Sequence, residues 1–365
     1  MCIAAKRNFL TYRAFKMQAL LDQYGESIRL AATRRRPLRI RGSGSKDFYG
    51  GASLGDVLDV SGYQGIVDYA PEELVLTARA GTLLHEIEAV LSDQGQMLPF
   101  EPPHFGPRAT LGGCVAAGLS GPRRASSGAV RDFVLGVRMM NGQGETLRFG
   151  GQVMKNVAGY DVSRLMAGSL GTLGVLLEVS LKVLPKPKAE ATLQFEMNEY
   201  QALEAMNRWA GKPFPISATC YHDHVLTIRL SGSAIQATHS ELGGQLMVAG
   251  DEFWYSIREQ TSRFFRETSP LWRVSLPSTA TLQIPGKQLI EWGGALRWLY
   301  SEEEPAKVRD VAQQVRGQAT LFRSSTKPKT IFQPLPLPLL QVHQRMKRAF
   351  DPQGIFNIGR MYPDF

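Results

Sequence analysis

Apolar residues along the first quarter of the chain recur at spacings that predict alternating helices and strands. Residues 15–31 repeat them at three- and four-residue steps, as one face of a helix does, and residues 37–41 alternate like a short strand. A further strand is predicted at residues 74–79, and an amphipathic helix at 83–93 ends at Gly95. Strands that alternate with helices in this way indicate a small α/β unit.

The pattern changes twice in the rest of the chain. Between residues 106 and 174 glycines interrupt short apolar strands, and the strand predicted at 175–184 ends in a Pro/Lys segment that is typical of a domain boundary. Beyond it, predicted helices and strands are mixed, which indicates an α+β domain. The predicted division is a first domain at 1–187, a second at 188–335 and a C-terminal segment at 336–365 that returns to the first.

Composition narrows the class of protein. The 365 residues are 43% hydrophobic and 21% charged, which excludes a disordered chain and fits two globular domains. We expect neither a secretory signal nor a membrane-spanning helix. The three cysteines, Cys2, Cys114 and Cys220, form no C-x-x-C pair, which predicts a reducing, cytoplasmic compartment. Any electrons that pass through the chain would therefore need an organic cofactor.

The net charge of the chain indicates which kinds of partner it suits. Forty-two Lys and Arg residues against 33 Asp and Glu residues give a net charge of +9. Such a balance suits an acidic protein surface, an anionic lipid surface or nucleic acid. The sequence contains no nucleic-acid-binding module, so nucleic acid is not a predicted partner.

Three glycine-rich clusters carry the candidate chemistry. The first, Gly42-Ser43-Gly44-Ser45-Lys46, directly follows the strand at 37–41. Backbone N–H groups, hydroxyls and a cation on one concave turn suit a pyrophosphate. This cluster matches neither the P-loop nor the Rossmann fingerprint, so a plain loop remains an alternative for it alone. The second cluster spans residues 110–124, and the third comprises 155–161 with 168–174.

In this order and spacing the clusters resemble the FAD-binding domain of the vanillyl-alcohol-oxidase/p-cresol-methylhydroxylase (PCMH) superfamily. The pattern T-x-G-G-x-x-A-x-x-x-x-G begins at Thr110, K-N-x-x-G-Y-D lies at 155–161, and G-S-x-G-x-L-G lies at 168–174. Val162 stands where the family usually has Leu, and Ile358 where it usually has Pro. The resemblance implies an α+β fold, with a PCMH-type FAD-binding domain of two α/β subdomains and a smaller α+β cap domain with an antiparallel sheet.

Within that superfamily the chain resembles the E-subunit family of bacterial glycolate oxidases. The resemblance runs nearly end to end, through residues 95–99, 121–124, 127–136, 149–161, 292–299 and 359–362. It implies two partners, a flavoprotein D subunit and an iron–sulfur F subunit. It also implies oxidation of glycolate and related D-2-hydroxy acids to glyoxylate or its analogues, with electrons passed from flavin to the iron–sulfur subunit. Such a complex works at the inner membrane, so peripheral membrane association is expected.

The resemblance also assigns residues to the cofactor. Those expected to bind FAD are Arg41, Gly42, Ser43, Gly44, Ser45, Lys46, Pro99, Thr110, Leu111, Gly112, Gly113, Ala116, Gly118, Ser120, Gly121, Val130, Arg131, Val153, Gly159, Tyr160 and Asn357. Relatives with covalent flavin carry a His in the first glycine loop. Here Ser45 and Lys46 occupy that region, so noncovalent FAD is predicted. For each glycine taken singly, a turn is the structural alternative.

Substrate chemistry is less constrained by the sequence. A 2-hydroxy acid needs a cation for its carboxylate and a base for its hydroxyl proton. Two arginines are the first candidates for the cation, Arg297 and Arg123, and two more are further candidates, Arg124 and Arg273. His104 is a candidate for the base. Salt-bridged surface arginines and a structural histidine are the alternatives.

No metal site is predicted. The strand-like segment His222-Asp223-His224 is better explained as a solvent-facing hairpin, because the fuller His-rich motif of D-subunit-like relatives is missing. That absence leaves open whether this chain or its D partner oxidises the substrate. Two further hypotheses remain beside a redox subunit: an assembly subunit without catalytic function, and a self-sufficient FAD-dependent 2-hydroxy-acid oxidase.

Overall fold

The computed structural model of the chain describes residues 2–151, 161–326 and 328–363. Its N-terminal layer comprises α1 (Cys2–Arg34), β1 (Leu38–Arg41) and β2 (Asp56–Asp59), and the two strands pair in parallel. The helix buries one stripe of side chains at helical spacing against these strands: Met17, Leu21, Tyr24, Ile28 and Ala31. This packing fixes the strand from which the first glycine cluster emerges.

A five-stranded antiparallel sheet forms the second layer. Its strands, in the order β3-β4-β8-β6-β7, are β3 (Ile66–Ala70), β4 (Val75–Arg79), β6 (Val134–Met140), β7 (Thr146–Gly150) and β8 (Val175–Lys182). Its helices are α2 (Leu84–Asp93), α3 (Leu111–Ala117), α4 (Arg124–Ser127), α5 (Val130–Phe133) and α6 (Val162–Leu165). The short strands β5 (Gln96–Met97) and β9 (Leu184–Pro185) pair beside it. An apolar core lies between the sheet and the helices.

An eight-stranded antiparallel sheet forms the other half of the molecule. Its strands, in the order β13-β10-β12-β11-β15-β16-β14-β17, are β10 (Glu190–Glu196), β11 (Ile216–His222), β12 (Val225–Ser231), β13 (Gln245–Met247), β14 (Leu271–Ser275), β15 (Lys287–Glu291), β16 (Leu296–Tyr300) and β17 (Gln318–Arg323). Its helices are α7 (Glu199–Ala210), α8 (Ile235–Leu242), α9 (Gly250–Arg258) and α10 (Pro305–Gln314). A 3-10 turn at Arg263–Arg266 follows α9.

The last helix, α11 (Leu337–Phe350), leads the chain back to the N-terminal layer. Leu38 of β1 bridges in parallel to Phe356, and the Asn357 backbone N–H donates to the Leu38 carbonyl at 2.9 Å. Lys347 and Asp351, both buried, anchor this return. The tail therefore lies beside the first glycine cluster although more than 300 residues separate them in sequence.

A shared apolar core joins the two halves. Tyr49, Leu119 and Leu170 from the N-terminal half pack with Trp254, Trp298 and Phe322 from the other half, among further residues. The predicted α+β class with an antiparallel cap sheet is confirmed. None of the described helices combines the length and apolar character that crossing a bilayer requires.

Candidate functional site

A cavity of about 290 Å³ opens where the loop after β1, the start of α3 and the C-terminal tail meet. Ten of the residues expected to bind a cofactor line it: Arg41, Gly42, Ser43, Gly44, Ser45, Lys46, Thr110, Gly113, Ala116 and Asn357. Three segments that are far apart in sequence therefore form one cradle. We name this space the large cavity.

Two glycines shape the first wall of the large cavity. Gly44 has φ +79°, a conformation that side-chain-bearing residues rarely adopt. Gly42 packs so closely on α3 that a Cβ would lie 2.6 Å from the Thr110 hydroxyl oxygen. That hydroxyl is already engaged, because it caps α3 by accepting the Gly113 N–H at 3.3 Å. The loop can follow this path only where no side chain intervenes.

The charges in the large cavity suit an anion with several oxygens. Four cationic side chains line the large cavity: Arg39, Arg41, Lys46 and Arg360. Among the described residues that line it, Asp47 is the only one with a carboxylate. The Arg39 Nε and the Ser53 hydroxyl are buried and have no hydrogen-bond partner among the described residues. Buried polar atoms without partners are costly, so a ligand that satisfies both would be stabilised here. Burial also lowers the pKa of Lys46, a cost that a bound anion would offset.

The C-terminal tail holds this loop in place. The Asn357 side chain accepts the Ile40 N–H at 2.8 Å and donates to the Leu170 carbonyl at 2.6 Å. The Arg360 guanidinium donates to the carbonyls of Lys46, Asp47 and Gly51 at 2.9, 3.1 and 3.1 Å. Donation to three carbonyls of one loop fixes the backbone of that loop beside the cavity.

A second, narrow cavity lies between the two halves of the molecule. It is lined by Ser120 and Gly121 from the N-terminal half and by Arg273, Glu291 and Trp298 from the eight-stranded sheet, among others. The Trp298 indole N–H donates to Glu291 Oε2 at 2.7 Å. Burial raises the pKa of Glu291 to about 7, against the opposing effects of the Trp298 hydrogen bond and the Arg273 charge. This carboxyl therefore changes charge near neutral pH.

The other expected cofactor residues lie elsewhere. Ser120 and Gly121 line the narrow cavity, whereas Pro99, Leu111, Gly112, Gly118 and Val130 line neither cavity and Arg131 is exposed on the surface. Gly112 donates its N–H to the Ala80 carbonyl at 2.7 Å, so it sets the approach of α3 to the sheet. Val130 donates its N–H to the Ser120 hydroxyl at 3.1 Å and so positions the narrow cavity's wall. Val153, Gly159 and Tyr160 lie outside the described residues.

The structure places Arg297 away from both cavities. Its side chain is fully buried and donates to the carbonyls of Gly294 and Ala280, and it lines neither the large nor the narrow cavity. Burial lowers its pKa to about 10. Arg297 therefore stabilises the turn before β16 and the segment around Ala280 through its two terminal nitrogens.

We expect Arg297→Met to destabilise the protein without weakening FAD binding. The two carbonyls would lose their hydrogen-bond donor, which should lower the free energy of unfolding by about 2 kcal/mol. Circular dichroism melting and a FAD fluorescence titration measure the two effects separately. Flavin reduction lost at an unchanged melting temperature would instead restore the catalytic interpretation.

Arg123 and His104 are also engaged by protein groups. The Arg123 guanidinium binds Glu101 at 3.3 Å and Glu190 at 2.6 Å, within a buried network that includes Arg229. It therefore ties the loop after Gly121 to the eight-stranded sheet. His104 Nε2 lies 3.2 Å from Glu88 Oε1, and its ring lines neither cavity. Both side chains are thus engaged by carboxylates of the protein.

Sequence reasoning missed several residues of the two cavities. Arg39, Ser53 and Arg360 line the large cavity, and Glu291 lines the narrow one. Two signals were available: Arg39 lies two positions before Arg41, so both project from the same face of β1. Glu291 is a lone carboxyl directly after two apolar residues of a buried strand. Nothing local pointed to Ser53 or Arg360.

The His222 segment behaves as a hairpin. Asp223 and His224 have positive φ values in the turn between β11 and β12, and the His222 ring packs against Phe264 at 5.0 Å. Within the described part of the chain, no group of three or more His, Cys, Asp or Glu side chains is arranged to hold a metal ion.

Comparison with known proteins agrees with this geometry. A family profile described as an FAD binding domain matches residues 21–150, which include the loop after β1 and all of α3. Glycolate oxidase subunit GlcE of Escherichia coli is 51% identical over 350 residues, covering 95% of this chain and 97% of that protein. Glycolate oxidase subunit GlcD of Bacillus subtilis is 31% identical over 175 residues, covering 47% of this chain and 37% of that protein.

A solved structure extends the likeness to the whole fold. An alkyldihydroxyacetonephosphate synthase superposes with a TM-score of 0.62 at 16% identity, over 92% of this chain and 74% of that one. Similarity at this identity shows the fold alone. The family profile and the E. coli relative confirm the prediction of FAD as the cofactor.

Proposed function

The chain belongs to the family of glycolate oxidase subunit GlcE, and from that membership we propose that it is the FAD-carrying redox subunit of a glycolate oxidase complex. Family and cofactor together make it an FAD-dependent oxidoreductase. The proposed complex oxidises glycolate and related D-2-hydroxy acids to the 2-oxo acids and passes the electrons onward through flavin to an iron–sulfur subunit. A GlcD-like flavoprotein is the second proposed partner. The proposed complex lies in the cytoplasm and associates peripherally with the membrane surface.

One observation carries the proposal: the intact anion cradle of the large cavity. This cavity combines several cations with an Arg39 Nε and a Ser53 hydroxyl that lack partners among the described residues, and its loop has no side chains at Gly42 and Gly44. A subunit that served only in assembly would have no need of these costly features. The proposal includes the division into a cofactor domain at 1–187, a cap domain at 188–335 and a returning segment at 336–365.

In this proposal the protein residues bind and orient the cofactor. The loop at Gly42–Lys46 and the Arg39, Arg41 and Arg360 side chains would hold the pyrophosphate. The chemistry that FAD supplies when bound is the acceptance of two electrons from a substrate C–H bond. The tail residue Asn357 would keep β1 and the Leu170 segment together around it. No residue of the first loop offers an imidazole for a covalent bond to flavin.

A visible spectrum of the FAD-loaded chain tests the proposal. Recorded without oxygen, the flavin band should bleach after glycolate is added, either in the lone chain or once a GlcD-like partner is present. After denaturation and filtration the yellow colour should pass into the filtrate, because the FAD is predicted to be noncovalent. A flavin band that glycolate never bleaches, with the partner or without it, would contradict a redox role.

A further inference from the structure

The narrow cavity brings together an arginine and a carboxyl that the proposed function has not used. Arg273 of β14 and Glu291 of β15 both line it, on strands that flank β16. The Arg273 guanidinium stacks on the Trp292 ring at 5.2 Å, and the described residues offer it neither a hydrogen bond nor an ion pair. Glu291 is only 4% exposed and accepts the Trp298 indole N–H.

Arg273 and Glu291 influence one another electrostatically but do not close into a direct ion pair. Arg273 is half-buried and Glu291 is buried, and a guanidinium that lies beside a carboxylate often meets it in a bidentate pair. The gap between them is thus a space bounded by a cation on one side and a proton acceptor on the other. That is the pair of groups that oxidation of a 2-hydroxy acid requires.

We propose that Arg273 and Glu291 form a site for a short 2-hydroxy monocarboxylic acid, in which Arg273 binds the carboxylate and Glu291 accepts the hydroxyl proton. This inference rests on the proposed function, because the acid is the electron donor of that function. It assigns substrate recognition to this chain in addition to any site on a partner.

The dimensions of the cavity select a short acid. The centre of a water-sized sphere can occupy about 20 Å³ inside this cavity. Only a few non-hydrogen atoms therefore fit without movement of the walls. Phe105, Ile257 and Phe322 form apolar walls around the charged pair. Ser120 and Gly121, which the family resemblance places beside the cofactor, close the side toward the N-terminal half. An acid bound here would therefore lie between the charged pair and the cofactor-binding half.

The proposed reaction balances in atoms and electrons. The C2–H bond of the acid breaks and its electron pair leaves with the hydrogen to FAD as a hydride. The hydroxyl O–H bond breaks and its proton goes to the Glu291 carboxylate. A C2=O bond forms, so the 2-hydroxy acid becomes a 2-oxo acid and FAD is reduced by two electrons. Glu291 then returns its proton to solvent.

The surroundings of Glu291 determine the expected pH dependence. The charged and titratable groups that face it or line its cavity are Arg273 on β14, Arg258 on α9, Glu101 in the loop after β5 and Cys220 on β11, with Arg124 and His104 further out. Burial raises the pKa of Glu291 to about 7. An anion bound beside it favours the neutral, protonated carboxyl, so acid affinity should fall as pH rises through 7, whereas acceptance of the hydroxyl proton requires the ionised carboxylate.

Calorimetric titration of the full chain with glycolate, at pH 6 and pH 8 and with or without FAD, tests the site. The wild-type Kd should rise about tenfold from pH 6 to pH 8, because Glu291 loses its proton across this range. Glu291→Gln keeps an acceptor for the Trp298 N–H but cannot ionise, so its Kd should not change with pH. Arg273→Lys keeps the charge but loses the two-pronged donor, and should weaken binding at least tenfold.

Glu267→Gln and Arg266→Lys are the matched controls, since both residues are exposed in the same half of the molecule. Each should titrate as the wild type does. A wild-type Kd equal at pH 6 and pH 8, or no heat from glycolate at all, overturns the inference without reference to any variant. Flavin bleaching that needs the partner, in a chain that binds no glycolate, overturns this inference and leaves the proposed function standing.

Discussion

A valine in place of Gly42 should lower the affinity for FAD by about 100-fold, or about 3 kcal/mol. The expectation follows from the close approach of the loop to α3, where a Cβ would lie 2.6 Å from the Thr110 hydroxyl. Either the loop or the Thr110 cap must move, and both line the large cavity. The N–H groups of the loop would then no longer converge on the pyrophosphate.

Gly62→Val is the matched control for this substitution. A Cβ at Gly62 meets only the Leu20 Cδ1, at an ordinary contact distance of 3.8 Å. FAD fluorescence titration of both variants measures the affinity, and circular dichroism of the FAD-free proteins shows that both are folded. Wild-type affinity in a folded Gly42→Val protein would sink the assignment of this loop to the pyrophosphate.

The same variant separates a redox subunit from an assembly subunit. A complex assembled with the Gly42→Val chain should keep its composition but lose electron transfer to an artificial acceptor. Full turnover in a complex whose GlcE-like subunit holds no flavin would favour the assembly hypothesis. The comparison needs only flavin content and turnover measured on the same purified complex.

Lys347→Met should cause the largest loss of stability, about 3–5 kcal/mol of the free energy of unfolding. The Lys347 ammonium donates to the Thr172 and Phe356 carbonyls and to Asp351 Oδ2, at 2.7, 2.8 and 2.8 Å. Removing the ammonium leaves the Asp351 carboxylate buried without its counter-charge, with its side chain fully shielded from solvent. A melting temperature lower by about 5 °C or more is expected.

Two further variants test the cause of that loss. Lys307→Met removes an exposed partner of Glu303 at the same i,i+4 spacing and should change stability by less than about 1 kcal/mol. Lys347→Met combined with Asp351→Asn removes both buried charges and should recover part of the loss. If the double variant were no more stable than the single one, the uncompensated Asp351 charge would not be the cause.

The glycine positions of the cofactor cradle can be predicted from local sequence. A loop that must take φ +79° at Gly44, or pass within contact of Thr110 at Gly42, needs glycine at those positions. This requirement is visible in the local sequence as glycines at fixed positions. Asn357, in the distant tail, was assigned to the cofactor through the resemblance to the family. Ten of the expected cofactor residues therefore lie around one cavity. The domain limits and the roles of Val153, Gly159 and Tyr160 stay predictions.

The substrate residues were harder to predict because charge alone does not reveal burial or partners. Arg297, Arg123 and Arg273 are equivalent in a sequence, yet the first two donate hydrogen bonds to carbonyls or carboxylates of the protein, and among the described residues the third has no such partner. That difference depends on which strands become neighbours. The order β15-β16-β14 sets Glu291, Trp298 and Arg273 around one space.

The α+β class, the family and FAD as the cofactor could be predicted from the sequence alone, because glycine placement and local spacing encode backbone paths directly. Only the tertiary structure decided which charged side chains stay available for chemistry. It placed Arg360 on the loop that carries Lys46, and it buried Glu291 where the pKa of its carboxyl lies near 7. Such effects arise from desolvation and from contacts between distant segments, which exist only once the chain has folded.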